Sequence, residues 1–290
     1  MIKKNTYLVN EMNYNPKKYV LIQARTSSSR LFGKCILYIK NKEIIHLLYD
    51  RIKSKNYKTT ILTSNHATDD YLSNLLKKKK ISFFRGDLDN VRKRFLDYTS
   101  SFHANDIIIR CTADNLFIDK FIINDLIRKF EFSKKNYFKI DRKKSSVPYG
   151  LSVEIFTVGA LRKIKANNKI DLEHVTPSLK KNKKKIEDVK IYCNNNLYNQ
   201  RCTIDTVYDY FKIKYIFENF NNKAKTKWYK LCNDLNKVNK QKIEKEIKKK
   251  FDKIVLGTAQ IGFRYGINNQ NKRLNNKEVF KILSFANTNY

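Results

Sequence analysis

Three cations in one short segment of the chain are the first residues whose types and spacing could do chemistry. Arg25, Arg30 and Lys34 lie close together, and hydroxyl side chains fill positions 26–29 between them. Guanidinium, ammonium and hydroxyl groups all donate hydrogen bonds to phosphate oxygens, so this segment predicts a polyphosphate-binding loop. A solvated loop in a lysine-rich protein is the alternative interpretation of the same three cations.

Two aspartates, each placed after a short apolar run, add a second candidate group. Asp114 follows the run Asp106–Ile109, and Asp205 follows Arg201–Ile204. Mg²⁺ prefers one or two carboxylates together with phosphate oxygens and water, so this pair beside a phosphate loop predicts a magnesium site. Either aspartate could instead cap the helix that follows it.

The elements that must position these residues are short apolar runs alternating with helical stretches, which predicts a mostly parallel α/β sheet. We expect strands at Tyr19–Ile22, Thr60–Thr63, Ile81–Phe84, Asp106–Ile109, Val153–Phe156, Lys190–Cys193 and Arg201–Ile204. We expect helices near Glu43–Lys53, from Thr68 to Lys80, and at Asn90–Phe102, Lys120–Phe130, Val158–Asn167 and Tyr208–Asn219, with a basic loop from Phe132 to Lys144. Ligands of such sheets bind beyond the carboxyl ends of the strands, where the candidate residues fall.

The charge of the chain is large but carries little functional information. The 290 residues include 61 Lys and Arg against 27 Asp and Glu, a formal net charge of +34. Lysine accounts for most of the excess, and Asn, Ile, Tyr and Phe are abundant too, so a drift towards A/T-rich codons explains the composition. No zinc-finger, RNP or GXXG motif is present, and nucleic acid is therefore not an expected partner.

Cysteine and histidine spacing and the apolar runs exclude several other classes. The five cysteines are never spaced C-x-x-C and the four histidines form no H-E-x-x-H pair, which argues against a disulfide framework and a transition-metal site. No apolar run approaches the ~18 residues of a membrane span. The first residues lack a signal-peptide pattern, so the expected location is the cytoplasm.

Five segments resemble, in order, the motifs of the sugar cytidylyltransferases of the spore-coat-polysaccharide type, relatives of the CMP-Kdo and CMP-sialate synthetases. Ile22–Lys34 is similar to I-x-A-R-x-x-S-x-R-L-P-G-K, and the others are Phe84–Asp87, Ile109–Asp119, Gly150–Phe156 with Glu173–Pro177, and Cys202–Asp209. The resemblance covers about residues 18–220. It implies a Rossmann-like fold of the nucleotide-diphospho-sugar transferase type, a three-layer α/β sandwich with a mostly parallel sheet.

The resemblance also implies a reaction and roles for individual residues. CMP would pass from CTP to a sugar, expected to be acidic, with release of pyrophosphate, in the synthesis of surface polysaccharide or glycoconjugate. Arg25, Arg30 and Lys34 would be catalytic and hold the triphosphate, and Asp114 and Asp205 would bind Mg²⁺. The residues implied to bind the nucleotide are Ala24, Ser27, Ser28, Ser29, Ser64, Arg85, Thr112 and Ala113, the backbone of 27–29 serving as an anion nest. The residues implied to approach the sugar are Glu154, Glu173 and His174, although His174 could be a structural histidine.

Five positions depart from the family pattern. Phe32, Leu116 and Val207 stand where the family has proline, and Tyr149 and Ser152 stand where it has acidic residues. An inactive family member that acts as a binding or scaffold subunit is therefore an alternative hypothesis, and a basic nucleic-acid-binding protein is a weaker one. The oligomeric state stays open, with a homodimer as one option.

The last forty residues resemble a different family. Leu256–Gly266 matches L-G-T-A-x-x-G-x-x-Y-G, a pattern similar to the beginning of an aldo/keto reductase. A (β/α)₈ barrel needs roughly 200–250 residues, so we expect no reductase activity from this fragment. The predicted organisation is an N-terminal extension at 1–17, a cytidylyltransferase domain at 18–222, a basic helical linker at 223–250 and the reductase-like fragment at 251–290.

Overall fold

The structure is a computed structural model, and it describes residues 14–133, 135–164, 172, 174–177, 179, 186–191, 196–251, 280, 281 and 284. The strands in these ranges are β1 Lys18–Gln23, β2 Tyr38–Ile39, β3 Lys42–Glu43, β4 Lys58–Ser64, β5 Phe83–Gly86, β6 Ile107–Thr112, β7 Tyr137–Ile140, β8 Glu154–Thr157 and β9 Ile186–Val189. The α-helices are α1 Ile44–Ile52, α2 Asp70–Lys78, α3 Val91–Tyr98, α4 Lys120–Phe132, α5 Arg142–Ser145, α6 Val158–Arg162, α7 Val207–Asn219, α8 Trp228–Leu235 and α9 Lys240–Phe251. Two 3₁₀-helices cover Lys34–Ile36 and Ala67–Asp69.

Seven of these strands form one sheet in the order β5-β4-β1-β6-β8-β7-β9. The strands β5, β4, β1 and β6 run parallel to one another, β8 is antiparallel to both of its neighbours, β6 and β7, and β9 is parallel to β7. Because β1 lies between β4 and β6, Ile22 is paired with both Ile61 and Cys111. The carboxyl ends of β4, β1 and β6 therefore open at one edge, as the mostly parallel topology predicts.

Both faces of the sheet are covered, because alternate residues of its central strands enter two separate cores. Val20 and Ile22 of β1 belong to the larger core, which also contains apolar side chains of α1, α2, α4, α7 and α8. Leu21 enters the second core with side chains of α3 and α6. A strand apolar at every position is typical of a sheet buried on both faces. The expected three-layer α/β sandwich is thus confirmed.

Most predicted elements are present, and the differences have local causes. The strand expected at Ile81–Phe84 begins at Phe83 instead, and α2 begins at Asp70, after a 3₁₀ turn with His66 at its N-cap. The strand expected at Arg201–Ile204 makes only one bridge, between Arg201 and Tyr149. The backbone of this segment instead forms hydrogen bonds with loops: the Cys202 N–H donates to the Tyr149 carbonyl, and the Ile204 N–H donates to the Asp114 carbonyl.

Two predictions in the middle of the chain are wrong. The expected basic loop from Phe132 to Lys144 contains β7 and the short helix α5. The strand expected at Lys190–Cys193 is shifted: β9 ends at Val189, and residues 192–195 lie outside the described residues. Sequence periodicity cannot locate four-residue strands with lysines beside them, because β7 is formed by pairing with β8 and β9, and β9 by pairing with β7.

The chain divides into compact units at 1–238 and 239–290, which differs from the boundaries expected at residues 222 and 250. Leu231, Cys232 and Leu235 of α8 are buried in the larger core of the first unit. The predicted linker thus begins with a packed helix. In the second unit the structure describes α9, where Lys240 pairs with Glu244 at 3.5 Å, and three later residues. Residues 252–279, in the segment predicted to resemble a reductase, lie outside the described ranges.

Within the ranges that the structure describes, no helix is both long enough and apolar enough to cross a bilayer.

Candidate active site

The segment that follows β1 folds back on itself around Thr26. The carbonyl of Thr26 accepts hydrogen bonds from the N–H groups of Ser28 and Gly33, both at 2.8 Å. Gly33 closes the turn in a left-handed conformation with φ of +66°, which suits glycine because it lacks a Cβ. The chain then enters the 3₁₀-helix that begins at Lys34. The turn thus brings the three cations of the segment to one end of the sheet.

Asp69 holds this loop in place, and sequence reasoning did not single it out. Its fully buried carboxylate accepts from the Thr26 N–H and hydroxyl, both at 2.7 Å, and from the backbone N–H and hydroxyl of Ser64. Burial alone would raise the pKa of Asp69, but these hydrogen bonds outweigh it and hold the pKa below its ordinary value. The ionised carboxylate therefore ties the ends of β1 and β4 together.

Lys34 lies between the two candidate metal ligands. Its Nζ is 2.7 Å from Asp114 Oδ2 and 3.0 Å from Asp205 Oδ1. The Lys34 side chain is 13% exposed, while those of Asp114 and Asp205 are 22% and 5% exposed. Burial to this degree strengthens the attraction beyond that of a surface ion pair. The residues predicted to bind phosphate and metal are thus brought into direct contact.

Neighbouring groups orient each carboxylate. Asp114 Oδ1 accepts from the Thr112 hydroxyl at 2.7 Å. Asp205 Oδ1 also lies 2.9 Å from an Arg30 guanidinium nitrogen, and Asp205 Oδ2 lies 3.2 Å from Arg201. Asp205 is therefore surrounded by three cations. Arg201 is a residue that sequence reasoning missed, although its position four residues before Asp205 placed it within reach.

The two carboxylates suit a shared divalent cation. Oxygens of both contact one ammonium group, so a cation at that point is within reach of both side chains. Hard cations such as Mg²⁺ take oxygen ligands and are commonly held by one or two carboxylates plus phosphates. The described residues contain no cluster of three or more His, Cys, Asp or Glu able to hold a metal. The donor set therefore fits Mg²⁺ with phosphate and water as further ligands, and does not fit an all-protein metal cage.

A cavity of about 220 Å³ opens beside this ion-pair cluster. It is lined by Gln23, Ala24, Arg25, Ser28, Ser29, Arg30, Lys34, Cys35, Thr112, Ala113 and Asp114. All of these except Gln23 and Cys35 were predicted from the sequence. Burial is the largest cause that raises the pKa of Cys35 to about 12, so this thiol stays protonated and is not a nucleophile.

Three predicted nucleotide-binding residues do not line this cavity. Ser27 is absent from its wall. Ser64 is buried and its hydroxyl donates to Asp69. Arg85 donates to the Ser64 carbonyl at 2.9 Å and pairs with Asp70 at 2.6 Å. The expected anion nest is also limited, because Ser28 already donates its N–H to Thr26.

The predicted sugar-binding residues are less closely connected to the cavity. Glu154 is buried, and its carboxylate is bound by Arg110, by the Tyr137 hydroxyl at 2.6 Å and by the Thr176 hydroxyl at 2.9 Å. Arg110 also donates to Gln23 at 2.8 Å, which links Glu154 to the cavity wall. In this arrangement Glu154 positions its neighbours.

The other two members of that predicted set lie in a partly described segment. His174 is exposed, and its carbonyl accepts from the Thr176 N–H at 2.7 Å. Glu173 lies outside the described residues.

Comparison with known proteins agrees with this arrangement. Residues 19–256 match the family model described as cytidylyltransferase. An uncharacterised Methanocaldococcus jannaschii protein, MJ1063, is 32% identical over 196 residues, which cover 66% of this chain and 79% of that protein. Spore coat polysaccharide biosynthesis protein SpsF of Bacillus subtilis is 26% identical over 209 residues, covering 68% and 85% of the two chains.

A solved structure extends the likeness to three dimensions. The structure of a cytidylyltransferase from Leptospira borgpetersenii superposes with a TM-score of 0.69 at 26% identity, covering 79% of this chain and 97% of that one. The matched family region contains the phosphate loop and both aspartates of the candidate site. By its sequence, its fold and the site that these place together, the chain belongs to the cytidylyltransferase family.

Proposed function

We propose that this protein transfers CMP from CTP to a hydroxyl group of an acidic sugar, releases pyrophosphate and requires Mg²⁺. The observation that supports this proposal most directly is the contact of Lys34 with both Asp114 and Asp205 beside a cavity lined by Arg25 and Arg30. Such a site offers cations to a triphosphate and carboxylates to a metal. The cavity is smaller than the ~300–1,000 Å³ of typical small-molecule pockets, so it suits the phosphates better than a whole nucleotide.

The chemistry asks the protein for positioning and neutralisation of charge rather than for covalent catalysis. The acceptor oxygen forms a bond to the α-phosphorus of CTP while the bond from that phosphorus to the oxygen bridging the β-phosphate breaks. Pyrophosphate leaves with the electron pair, and the acceptor proton passes to solvent. Arg25, Arg30 and Lys34 would stabilise the negative charge that develops on the leaving group.

Asp114 and Asp205 would hold the Mg²⁺ ion. When bound there, the ion would neutralise phosphate charge and help to orient the nucleophile. Lys34 occupies the point between the two carboxylates in this structure. With a divalent cation in place, its ammonium group would be available to phosphate oxygens.

An acidic acceptor and a role in surface polysaccharide or glycoconjugate synthesis complete the proposal. Arg30 is 63% exposed and Arg201 is 44% exposed beside Asp205, so accessible cations border the reaction site. An anionic acceptor would be attracted to such a border. The role in polysaccharide synthesis is supported by the similarity to SpsF, whose name assigns it to spore coat polysaccharide biosynthesis.

The test is pyrophosphate release by the full chain with Mg²⁺, each of the four common nucleoside triphosphates and a panel of acidic and neutral sugars. We expect release with CTP and an acidic sugar, and its loss when EDTA removes the metal. Lys34→Ala should reduce the rate by about 10²–10³-fold, because one preorganised charge is removed from the transition state. Lys53→Ala is a matched control, since Lys53 is an exposed lysine that pairs with Asp50 and lies over the Tyr49 ring.

Calorimetric titration with CTP and the pyrophosphate assay together separate the proposal from its main alternative. An inactive binding subunit would bind CTP and release no pyrophosphate with any acceptor. Release that is unchanged in Lys34→Ala would show that the site lies elsewhere. Failure of the wild-type protein to bind any nucleotide would refute the proposal as a whole.

A further inference from the structure

Two arginines and two tyrosines form an exposed row next to the candidate active site. The guanidinium carbon of Arg201 lies 4.9 Å from the ring centroid of Tyr149, and that of Arg142 lies 5.5 Å from the same ring. Arg142 also lies 4.1 Å from the ring centroid of Tyr198. Tyr149 is 49% exposed, so much of this row faces solvent. We call these four residues the arginine–tyrosine row.

The row is held by backbone contacts. The Tyr149 N–H donates to the Gln200 carbonyl at 2.8 Å, and the Tyr149 carbonyl accepts from the Cys202 N–H at 2.7 Å. These two bonds hold the backbone of Tyr149 against that of residues 200–202. Arg142 donates to the Tyr198 carbonyl at 3.1 Å, which fixes its guanidinium over that ring. A side chain held by stacking and a hydrogen bond loses less entropy when it binds a ligand.

The row is continuous with the reacting centre. Arg201 donates to Asp205 Oδ2, while the other oxygen of Asp205 contacts Arg30 and Lys34. Asp205 thus separates the cations of the phosphate loop from those of the arginine–tyrosine row. A molecule on the row would therefore lie next to Asp205, the carboxylate proposed to hold Mg²⁺.

The chemistry of the row indicates what it would bind. A guanidinium binds a carboxylate or phosphate through two parallel N–H donors, and an exposed tyrosine ring offers an apolar surface to the C–H face of a sugar. Tyr149 places an aromatic ring, which carries no charge, between the two guanidinium groups. The arrangement favours an anionic ligand over a neutral one.

We propose that the arginine–tyrosine row is the acceptor-binding site and that Arg142, with Arg201, recognises the anionic group of the acceptor sugar. This inference rests on the proposed CMP transfer and specifies the part of the surface that selects its substrate. The predicted substrate class is a sugar that carries a carboxylate or phosphate close to the reacting hydroxyl. Tyr149 would support the sugar ring, and Arg142 and Arg201 would bind the charge.

The experiment compares charged acceptors with matched neutral ones. Pyrophosphate release is measured with CTP, Mg²⁺ and 2-keto-3-deoxy-manno-octonic acid or N-acetylneuraminic acid, each beside its carboxamide, and with a sugar phosphate beside the free sugar. Arg142→Gln removes one charge from the row, and Arg142→Lys keeps the charge without the planar donor pair. Lys143→Gln removes the same charge from an exposed neighbour on α5 and is the control.

In the wild type and in Lys143→Gln we expect a strong preference for the anionic acceptors. Arg142→Gln should raise KM for the preferred anionic acceptor by about ten- to a hundredfold, the usual effect of losing a charge-assisted hydrogen bond. KM for CTP should change less than about twofold in the same variant, and Arg142→Lys should recover part of the loss. The preference of acid over amide should largely disappear in Arg142→Gln, which a merely structural role of Arg142 would not produce.

Two results would overturn the inference while CTP binding and CMP transfer stand. One is a wild-type protein that releases pyrophosphate equally with acids and with their amides, whereas a protein that binds CTP and uses no acceptor would count against the proposed function. Another is an equal loss for acid and amide in Arg142→Gln, or the same loss in Lys143→Gln. If the wild-type protein binds no CTP, the proposed function itself fails, and the titration shows this separately.

Discussion

The backbone N–H of Ile204 donates to the carbonyl of Asp114 at 3.0 Å. This bond joins the segment after β6 to the segment before α7, which are far apart in the sequence. Because Asp205 follows Ile204 directly, the bond also places its carboxylate beside that of Asp114. The convergence of the two aspartates on Lys34 is therefore a backbone arrangement and does not depend on the side chains alone.

Asp114→Asn and Asp205→Asn should each reduce pyrophosphate release by about 10²–10³-fold, because each removes a charge from a preorganised site. If both carboxylates hold one Mg²⁺, the double variant should lose little more than the worse single variant, since residues that act as a unit are not additive. Asp125→Asn, an exposed change on α4, is the control. Two results would contradict a shared metal. One is a double variant whose loss of steady-state rate equals the two single losses combined, and the other is a higher Mg²⁺ requirement in only one of the single variants.

Gly150 should tolerate no side chain. Its φ is +105°, and an added Cβ would lie 2.5 Å from the backbone nitrogen of Thr203, two residues before Asp205. Gly150→Ala should therefore lower both the free energy of unfolding, by about 1–3 kcal/mol or more, and the rate of CMP transfer. Circular dichroism in urea and pyrophosphate release measure the two effects.

Gly33→Ala provides the comparison for this substitution. Gly33 is also left-handed, with φ of +66°, but an added Cβ would lie at an ordinary 3.5 Å from the Ile36 side chain. Gly33→Ala should therefore lower the free energy of unfolding only by the backbone strain, about 1–2 kcal/mol. If Gly33→Ala is the more destabilising of the two, close approach to Thr203 is not what requires glycine at position 150.

Arg51 should matter for stability although it is remote from the cavity. Its buried guanidinium donates to five carbonyls, those of Leu116, Phe117, Ile118, Ala224 and Thr226. Burial is the main cause that lowers its pKa to about 10, so it remains charged at neutral pH. Arg51→Met should lower the free energy of unfolding by about 3–5 kcal/mol, because a buried charge network loses its centre.

Urea denaturation of Arg51→Met and of Arg128→Met tests this role. Arg128 is 71% exposed and pairs with Asp125, so its replacement should cost less than about 1 kcal/mol. Equal midpoints for the two variants would show that the carbonyls around Arg51 are satisfied in another way.

The first strands of the sheet and the loop that follows β1 could be predicted from the sequence because their signals are local. The run Tyr19–Ile22 is apolar at every position, and the cations follow it directly. The strand β7 could not be predicted, since Tyr137–Ile140 is short, contains a lysine and gains its structure from pairing with β8. Helix α8 lies within the stretch 223–250 that was predicted to be helical, but its packing was not predicted, because basic residues surround its three buried apolar residues.

The supporting residues of the site were harder to predict than the residues that line it. Asp69 was expected in the first turn of a helix, and its position was close to correct. Asp69 holds the loop after β1 by accepting hydrogen bonds from Thr26, a partner 43 positions away in the sequence. A contact between such distant residues could not be predicted from the sequence. Arg201 and Asp205, by contrast, are near neighbours in the sequence, but only the fold shows that Tyr149 joins them.

The ionisation of Asp69 should make the free energy of unfolding depend on pH. The hydrogen bonds from Ser64 and Thr26 outweigh burial and hold its pKa below the ordinary 3.8. The unfolded chain therefore takes up a proton at higher pH than the folded one, so the stabilisation is complete well above pH 4 and is lost as the pH falls through the folded pKa.

Asp69→Asn should cost about 2 kcal/mol or more at pH 7, because charged hydrogen bonds are lost. In urea titrations from pH 7 to pH 3, the difference between Asp69→Asn and wild type should shrink below about pH 4. Asp125→Asn should stay close to wild type throughout, since its carboxylate is exposed. A difference for Asp69→Asn that is constant down to pH 3 would mean that shape, and not the ionised carboxylate, holds the phosphate loop.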